Sequence, residues 1–89
     1  MEKNEKIWFV YILQSQLDNS FYVGMATDVQ NRLMEHNKGK SKYTKSKIPW
    51  KLLYFEKVGS RIDARAKEKY YKTSSGKNKI LNQLSLTNL

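Results

Sequence analysis

Five side chains of this sequence carry the functional groups that phosphodiester chemistry requires. They are Tyr11, Tyr22, Arg32, His36 and Glu68. Hydrolysis of a phosphodiester needs a base that deprotonates water, a cation that stabilises the charge of the developing phosphorane, and a carboxylate that holds a metal ion. Phenol, imidazole, guanidinium and carboxylate groups can supply these functions. The set therefore fits phosphodiester chemistry, provided that the fold brings its members together.

Each of these residues also has an ordinary structural interpretation. Strand tyrosines commonly pack with the hydroxyl group at the surface. Arg32 can pair with Asp28 one helical turn away, and a histidine near the end of a helix can interact with the helix dipole. Glu68 can pair with Arg65 and Lys72 on its own helix. The residue types alone leave both interpretations open.

The chain lacks the residues that characterise several other classes of enzyme. A single histidine cannot form a histidine-rich metal centre, and without cysteine there is neither a cysteine-based zinc site nor a disulfide framework. No glycine-rich phosphate loop precedes a predicted helix, and no serine stands in a strained strand-to-helix motif. The phosphodiester set remains the candidate site.

A predicted β-hairpin carries the two tyrosines. Residues 7–14 are rich in β-branched and aromatic types, and the turn pair Asp18-Asn19 precedes Phe21, where the apolar pattern restarts. Odd-numbered and even-numbered residues of the first strand are both largely apolar, which predicts a central strand covered on both faces. Gly24 ends the second strand, where the missing Cβ allows another backbone or a ligand to approach closely.

A helix follows the hairpin and carries the arginine and the histidine. Thr27 or Asp28 caps its start, and it ends near Gly39, so that residues 28, 32 and 36 share one face. The remaining predicted elements are a basic loop over 38–51, a strand over 50–58, a helix over 60–72, a break over 73–76 and a short helix over 77–84. The predicted fold is α+β, a small three-stranded antiparallel sheet with an N-terminal β-hairpin, flanked by about three helices (ββαβαα).

The length of 89 residues fits one domain with a modest core. We place the core at about residues 7–84 and expect residues 1–6 and 85–89 to be frayed. The N-terminal apolar run is too short and too polar for a signal peptide or a membrane span. The sequence therefore predicts a cytoplasmic protein.

Positive charge dominates the chain. Seventeen Lys and Arg residues against eight Asp and Glu residues give a net charge of +9, a field that attracts polyanions. No stretch combines a basic face with a broad apolar one, so we expect no membrane partner. The predicted contacts with nucleic acid are Lys38, Lys40, Lys42, Tyr43, Lys45, Lys47 and Arg65. DNA is favoured as the partner, with RNA as the alternative because lysine-rich loops do not distinguish the two sugars.

Several separate motifs stand in a fixed order along the chain. The main ones are Val10-Tyr11-Ile12, Tyr22-Val23-Gly24, Arg32, His36 and Glu68, supported by the segments 35–40, 42–44 and 64–68. In this order they resemble the GIY-YIG nuclease superfamily, and most closely its small stand-alone bacterial members, known as UPF0213. The resemblance covers roughly residues 7–80.

This resemblance implies a role for each of the five residues. Tyr11 would be the general base or orient the water, with Tyr22 in support. Arg32 would stabilise the phosphorane, Glu68 would hold one divalent ion, Mg²⁺ or Mn²⁺, and His36 would assist proton transfer. An ordinary phenol titrates near ~10, so Tyr11 can act as a base at neutral pH only if the metal or Arg32 stabilises its phenolate.

The sequence thus predicts a metal-dependent DNA endonuclease of the GIY-YIG type that acts in DNA repair or processing. The alternative is a catalytically weak or inactive nucleic-acid-binding module on the same fold. Met25 and Ala26 favour that alternative, because many members of the superfamily carry a lysine and a hydroxyl residue there. The intact set of five residues opposes it.

Overall fold

Three strands and three α-helices follow one another in the order that the sequence predicts. A computed structural model describes residues 6–87 of the chain. The elements are β1 (Trp8–Ser15), β2 (Phe21–Ala26), α1 (Val29–Asn37), β3 (Trp50–Gly59), α2 (Arg61–Lys72) and α3 (Ser74–Thr87), with a 3-10 turn at Lys45–Lys47. The predicted α+β class is therefore confirmed. No helix within residues 6–87 is long and apolar enough to cross a membrane.

Strand β1 lies at the centre of an antiparallel sheet, between β2 and β3. The register pairs Tyr11 with Gly24 on β2 and with Phe55 on β3. The predicted central position of the first strand is confirmed. Because β1 is hydrogen-bonded along both edges, Tyr11 is held at a fixed point in the middle of the sheet.

Different helices cover the two faces of this sheet. On one face, Val10 and Ile12 of β1 pack with Ala64 and Tyr71 of α2 and with Ile80 of α3. We call this the α2/α3 face. It has the composition of an ordinary apolar core, and it holds α2 and α3 against the strands.

The opposite face, which we call the α1 face, carries the candidate site. Tyr11 and Leu13 of β1 pack there with Val29 of α1 and with Trp50 at the start of β3. Alternate residues of β1 thus enter two separate clusters, as the apolar pattern of the first strand predicts.

Side-chain caps fix where α1 and α2 begin. Asp28 Oδ1 accepts a hydrogen bond from the Asn31 backbone N–H at 3.0 Å, and Ser60 Oγ accepts one from Asp63 at 3.1 Å. Asp28 is therefore the residue used, of the two that the sequence offers for the first helix. With this start, Val29 and His36 of α1 are buried against the sheet.

Helix α3 is longer than the sequence predicts. In place of a break over 73–76, α3 begins at Ser74, directly after α2. Thr73 caps it, because its Oγ1 accepts a hydrogen bond from the Gly76 backbone N–H at 3.0 Å. A Cβ on Gly76 would collide with a backbone carbonyl of α2, so close packing of the two helices outweighs the weak helix propensity of glycine.

The ends of the chain were expected to be frayed over residues 1–6 and 85–89. Residues 1–5, 88 and 89 lie outside the described residues. The backbone of residues 85–87 continues α3, so the helix extends three residues beyond its predicted end at 84.

Candidate active site

Tyr11 occupies the centre of the α1 face. Its side chain projects from the middle strand and is almost wholly buried, with 1% of its surface exposed. Its hydroxyl oxygen lies 3.0 Å from Nε2 of His36 on α1. Helix α1 packs on this face of the sheet and thus brings the His36 imidazole within hydrogen-bond distance of the Tyr11 phenol.

Gly24 makes room for that phenol. It is the cross-strand partner of Tyr11, and a Cβ built on it would lie 2.5 Å from the Tyr11 hydroxyl oxygen and 3.0 Å from the Tyr22 ring. The sequence predicted a close approach at this glycine. The group that approaches is the Tyr11 side chain, so glycine is required for steric reasons.

Tyr22 forms one wall of the site. Its ring centroid lies 5.0 Å from that of His36, 6.4 Å from that of Tyr11 and 6.2 Å from that of Trp50. The contacts with His36 and Trp50 are edge-on, an arrangement that aromatic rings favour. Tyr22 therefore fixes the position of the imidazole as well as flanking Tyr11.

His36 is completely buried and bonded at both ring nitrogens. Its Nε2 faces the Tyr11 hydroxyl, and its Nδ1 lies 2.8 Å from Thr44 Oγ1. Burial lowers the pKa of His36 to about 4, with a further lowering by the charge of Arg32, so the ring is neutral at pH 7. The interpretation as a surface histidine that interacts with the helix dipole is therefore wrong.

Thr44 and Trp50 extend this group into the basic loop. Thr44 is completely buried, and its carbonyl oxygen accepts a hydrogen bond from the Trp50 indole at 2.9 Å. The Asn37 side chain bonds both the N–H and the C=O of Trp50, at 2.7 and 3.0 Å. Trp50, which among the lysines of this loop was expected to offer a stacking surface for nucleic acid, is instead buried. No role was predicted for Thr44, and its only signal is that segment 42–44 takes part in the resemblance.

Arg32 reaches the site from the turn of α1 before His36. Its guanidinium donates to Glu35 Oε1 at 2.8 Å, so its ion-pair partner is Glu35 and not Asp28, the partner in its ordinary structural interpretation. The hydrogen bond that Arg32 donates to Glu35 is the main cause that raises the pKa of Arg32. Arg32 remains charged and also acts on the Tyr11 hydroxyl.

The groups that surround Tyr11 shift its pKa in both directions. Burial raises that pKa most, and the neighbouring Tyr22 phenol raises it further. Arg32 lowers it by charge and by hydrogen bonding, whereas the charge of Glu68 raises it. Residues from β2, α1 and α2 thus act together on one hydroxyl group, which holds its proton at neutral pH.

Glu68 lies on α2, and its charge acts on the Tyr11 hydroxyl across the sheet. Its side chain is 14% exposed and pairs with Arg65 at 3.6 Å and with Lys72 at 3.4 Å. The ion pairs with Arg65 and Lys72, which an ordinary structural role of Glu68 predicts, are therefore present. Within residues 6–87 no group of three or more His, Cys, Asp or Glu side chains could hold a metal ion. One carboxylate is nevertheless enough for Mg²⁺ when waters and substrate phosphates complete its shell.

The basic loop, residues 38–51, is anchored beside the site. Thr44 ties it to His36, and Ser15 Oγ donates to the Lys47 carbonyl oxygen at 2.7 Å. Tyr43, next to Thr44, has 81% of its surface exposed. Among the predicted contacts with nucleic acid, the exposed residues are Lys38, Lys40, Lys42, Tyr43, Lys45 and Arg65, whereas Lys47 is half-buried and pairs with Asp18.

Comparison with known proteins identifies the family. A family model described as the GIY-YIG catalytic domain matches residues 7–81. The chain therefore belongs to the GIY-YIG family, which places it in a nuclease superfamily.

Within that family the chain is similar to UPF0213 proteins. It is 46% identical to one from Listeria innocua over 72 residues, which cover 80% of this chain and 79% of that protein. It is 41% identical to one from Pediococcus pentosaceus over 87 residues, which cover 92% and 90%. The solution NMR structure of a UPF0213 protein from Bacillus halodurans matches with a TM-score of 0.54 and 31% identity, over 86% of this chain and 84% of that one. The resemblance found in the sequence is thus confirmed.

Proposed function

We propose that this protein is a divalent-metal-dependent DNA endonuclease and that Tyr11 is the centre of its active site. The observation that carries this proposal is the convergence on one buried phenol. His36 Nε2 lies 3.0 Å from the Tyr11 oxygen, and the charges of Arg32 and Glu68 act on the same group. A base, a cation and a carboxylate in one place are what phosphodiester hydrolysis requires.

Tyr11 serves as the general base in this proposal. Because its pKa is raised, the phenol must first lose its proton. Arg32 works in that direction, and the neutral His36 assists by accepting the proton at Nε2, 3.0 Å from the hydroxyl oxygen. The phenolate oxygen then accepts a proton from the attacking water. The Tyr11 side chain projects from the central strand and packs directly against Gly24. These two constraints hold the phenolate oxygen in place during the reaction.

Arg32 binds the phosphate in this proposal. Its guanidinium presents several N–H donors in a plane that matches phosphate oxygens, and it keeps its charge at any physiological pH. The 2.8 Å hydrogen bond to Glu35 restrains one edge of that plane. Arg32 thereby stabilises the negative charge that grows on the phosphorane.

Glu68 is the residue that would hold the divalent ion, Mg²⁺ or Mn²⁺. When bound, such an ion polarises a phosphoryl oxygen and favours ionised forms of nearby water and phenol groups. Glu68 must exchange part of its pairing with Arg65 and Lys72 to act as a ligand. These two cations are then free to meet the substrate phosphates.

DNA is the proposed substrate because of the charge beside the site. The net charge is +9, and the exposed lysines of the basic loop stand next to Thr44, which contacts His36. The exposed Tyr43 ring adds a surface on which a base can stack. Loop and site share one face of the sheet, so one bound strand can contact both.

A second candidate is a nucleic-acid-binding module without catalytic activity. It is favoured by the two ion pairs that already occupy Glu68 and by the burial that raises the pKa of Tyr11. Both features leave binding intact and make the chemistry slower. This candidate predicts salt-dependent binding to DNA without cleavage.

Cleavage assays separate the two candidates. The purified protein is incubated with labelled single-stranded, duplex and branched DNA, with Mg²⁺, with Mn²⁺ and with EDTA. We expect metal-dependent cleavage that falls by about 100-fold or more in Tyr11→Phe and in Glu68→Gln. Matched controls are Tyr54→Phe on the α2/α3 face and Asp63→Asn on the same helix as Glu68, which should cleave normally.

Binding without cleavage by the unaltered protein, on every substrate and with both metals, would refute the nuclease proposal and support the binding module. Equal losses in the matched controls would show that the assay reports stability and would remove the role assigned to Tyr11 and Glu68.

A further inference from the structure

A pair of phenylalanine rings lies beside Tyr11 on the α1 face. Phe55 stands directly opposite Tyr11 on β3, and Phe9 lies two residues before Tyr11 on β1, so the three side chains point to the same face of the sheet. The ring centroids of Phe9 and Phe55 are 6.2 Å apart, and the ring planes are tilted by 54°. Phe9 is half-buried, whereas Phe55 is 52% exposed. The pair therefore presents an open aromatic surface one strand away from Tyr11.

A cleft of about 310 Å³ opens beside this pair, and we call it the Phe9/Phe55 cleft. One side is apolar and consists of the two rings and Val29. The other side consists of three polar residues at the start of α1, namely Thr27, Asp28 and Gln30. The volume lies at the lower end of the range for small-ligand sites, so the cleft is large enough for a single nucleobase. An aromatic wall next to hydrogen-bonding groups matches the flat face and the polar edge of a nucleobase.

The charges around the cleft favour a nucleobase inside it and phosphates outside it. Asp28 lines the cleft and repels a phosphate, but its carboxylate can accept a hydrogen bond from the amino group of a nucleobase. The positive charges lie at the rim. Lys57 is exposed and is the cross-strand partner of Phe9, and Arg32 lies one turn of α1 after Asp28. A strand whose nucleobase enters the cleft therefore keeps its phosphates near positive charge.

The Phe9/Phe55 cleft and the basic loop lie at opposite ends of the candidate site. The cleft adjoins the start of α1, whereas the loop follows the end of α1 and is bonded to Ser15 at the end of β1. Tyr11 and Arg32 lie between the two. The distance from Phe9 to Ser15 along β1 is about 20 Å, which a few nucleotides of an extended strand can span. One bound strand can therefore contact the loop, the candidate catalytic residues and the cleft.

We propose that the Phe9/Phe55 cleft binds one unpaired nucleobase of the DNA, next to the phosphodiester on which Tyr11 and Arg32 act. This inference rests on the proposed nuclease function and names its substrate class, which is single-stranded or branched DNA. A perfect duplex must first release a nucleobase from its stack, and this step costs free energy. An exposed phenylalanine alone needs no explanation. Phe55 is distinguished by its position opposite Tyr11 and by the cleft beside it.

Equilibrium binding in EDTA tests the cleft without any cleavage. Fluorescence anisotropy compares three labelled probes at one salt concentration: a short single strand of DNA, its perfect duplex, and a strand of the same length made of abasic sites. We expect Phe55→Ala to weaken binding of the single strand about tenfold, because one nucleobase loses its stacking partner. The duplex and the abasic strand offer phosphates but no unpaired nucleobase, so their affinities should change by less than about twofold.

Three further variants separate stacking from folding and from charge. Phe55→Leu keeps an apolar side chain against Phe9 but has no ring, so it should lose as much single-strand affinity as Phe55→Ala. Ile62→Ala also removes an exposed apolar side chain, which is 82% exposed on α2, and it should bind all three probes normally. Lys57→Gln should weaken the binding of every probe and reduce the slope of log affinity against log salt for the single strand by about 0.7.

Several outcomes would overturn the proposal. These are an unchanged single-strand affinity in Phe55→Ala, or equal losses on all three probes. Self-association of the unaltered protein that Phe55→Ala abolishes would also overturn it, because the ring pair would then be an interface between copies of this chain. If the unaltered protein binds none of the probes, both this proposal and the nuclease proposal fail. If it binds DNA but cleaves none, only the nuclease proposal fails, and the three probes still decide what the cleft binds.

Discussion

Each face of the sheet contains tyrosine hydroxyls that are held by hydrogen bonds, but the hydroxyls meet different partners. On the α2/α3 face, Tyr54 and Tyr71 donate to one oxygen of Glu56 at 2.7 and 2.6 Å, and Lys67 pairs with the other at 3.3 Å. On the α1 face, Tyr11 meets an imidazole nitrogen and the field of a guanidinium.

This difference in partners decides what each hydroxyl can do. Although burial works to raise the pKa of Glu56, hydrogen bonds from Tyr71 and Tyr54 lower it, so the carboxylate stays ionised. Burial and that carboxylate in turn raise the pKa of both tyrosines, to about 12 for Tyr54. These hydroxyls are permanent donors, and the cluster holds α2 to β3.

The Tyr11 hydroxyl has no carboxylate that accepts its proton through a direct hydrogen bond within the described residues. Its raised pKa comes chiefly from burial, which a bound cation can offset, and Arg32 already lowers it. The same residue type therefore acts as a structural donor on one face and as a candidate base on the other.

Removal of one tyrosine hydroxyl from each face should give the largest difference between the two faces in DNA cleavage and in stability. We expect Tyr11→Phe to reduce DNA cleavage by about 100-fold or more, because it removes the base. Tyr71→Phe should leave the cleavage rate within about twofold but lower the free energy of unfolding by about 1 kcal/mol. Single-turnover cleavage and urea denaturation measure the two effects. Equal losses of cleavage in both variants would contradict the division between the faces.

The pH dependence of stability should differ between the faces. The pKa of His36 is lowered to about 4 in the folded protein from 6.5, so the unfolded chain binds more protons between these values. Stability should therefore fall as pH drops from about 6.5 to 4, by roughly 3 kcal/mol. Glu56, whose pKa is lowered from 4.5, adds its loss only below that value.

Urea denaturation at a series of pH values checks this prediction. In His36→Gln the slope between pH 6.5 and 4 should disappear, whereas in Glu56→Gln it should remain. Each slope of unfolding free energy against pH is measured within one variant. A loss of stability that is the same at every pH therefore leaves the slope unchanged. An unchanged slope in His36→Gln would show that His36 is not the titrating group.

Gly24→Ala should damage the α1 face selectively. The new Cβ would lie 2.5 Å from the Tyr11 oxygen, so Tyr11 must move away from His36. We expect a cost of about 1–3 kcal/mol in unfolding free energy together with a loss of cleavage. Gly59→Ala is the matched control, because its Cβ has open space and only the backbone φ of 120° is strained. It should lose stability and keep the cleavage rate per folded molecule.

The sequence was sufficient for the architecture, and it named five residues of the candidate site. Period-two alternation of β1, turn residues and caps are local signals, and they placed Tyr11 on a central strand and the helices in order. Tyr11, Tyr22, Arg32, His36 and Glu68 were named from spaced motifs, whereas Thr44, Trp50 and Asn37 were not. Glu35 was missed as the partner of Arg32 because two carboxylates, at i−4 and i+3, are equally near along the helix.

Thr44 and the start of α3 depend on tertiary contacts that no local pattern records. Thr44 sits in a loop of lysines and serines, and its burial follows only from the approach of α1 and Trp50. Gly76 looks like a helix breaker until the neighbouring carbonyl of α2 makes glycine the residue that fits. Such positions are specified by packing rather than by propensity.

Lys67→Met should give the smallest effect and the sharpest check on the α2/α3 face. Lys67 pairs with Glu56 at 3.3 Å, but its head is largely in solvent, so the pair contributes at most about 1 kcal/mol. The methionine keeps an apolar side chain of similar length but also removes the ammonium group, which lies 5.6 Å from the centroid of the Tyr71 ring. We expect unfolding free energy to fall by less than that amount, with cleavage unchanged. A marked loss of cleavage in Lys67→Met would mean that the Tyr54–Tyr71–Glu56 cluster takes part in the reaction, and the contrast between the two tyrosine clusters would no longer hold.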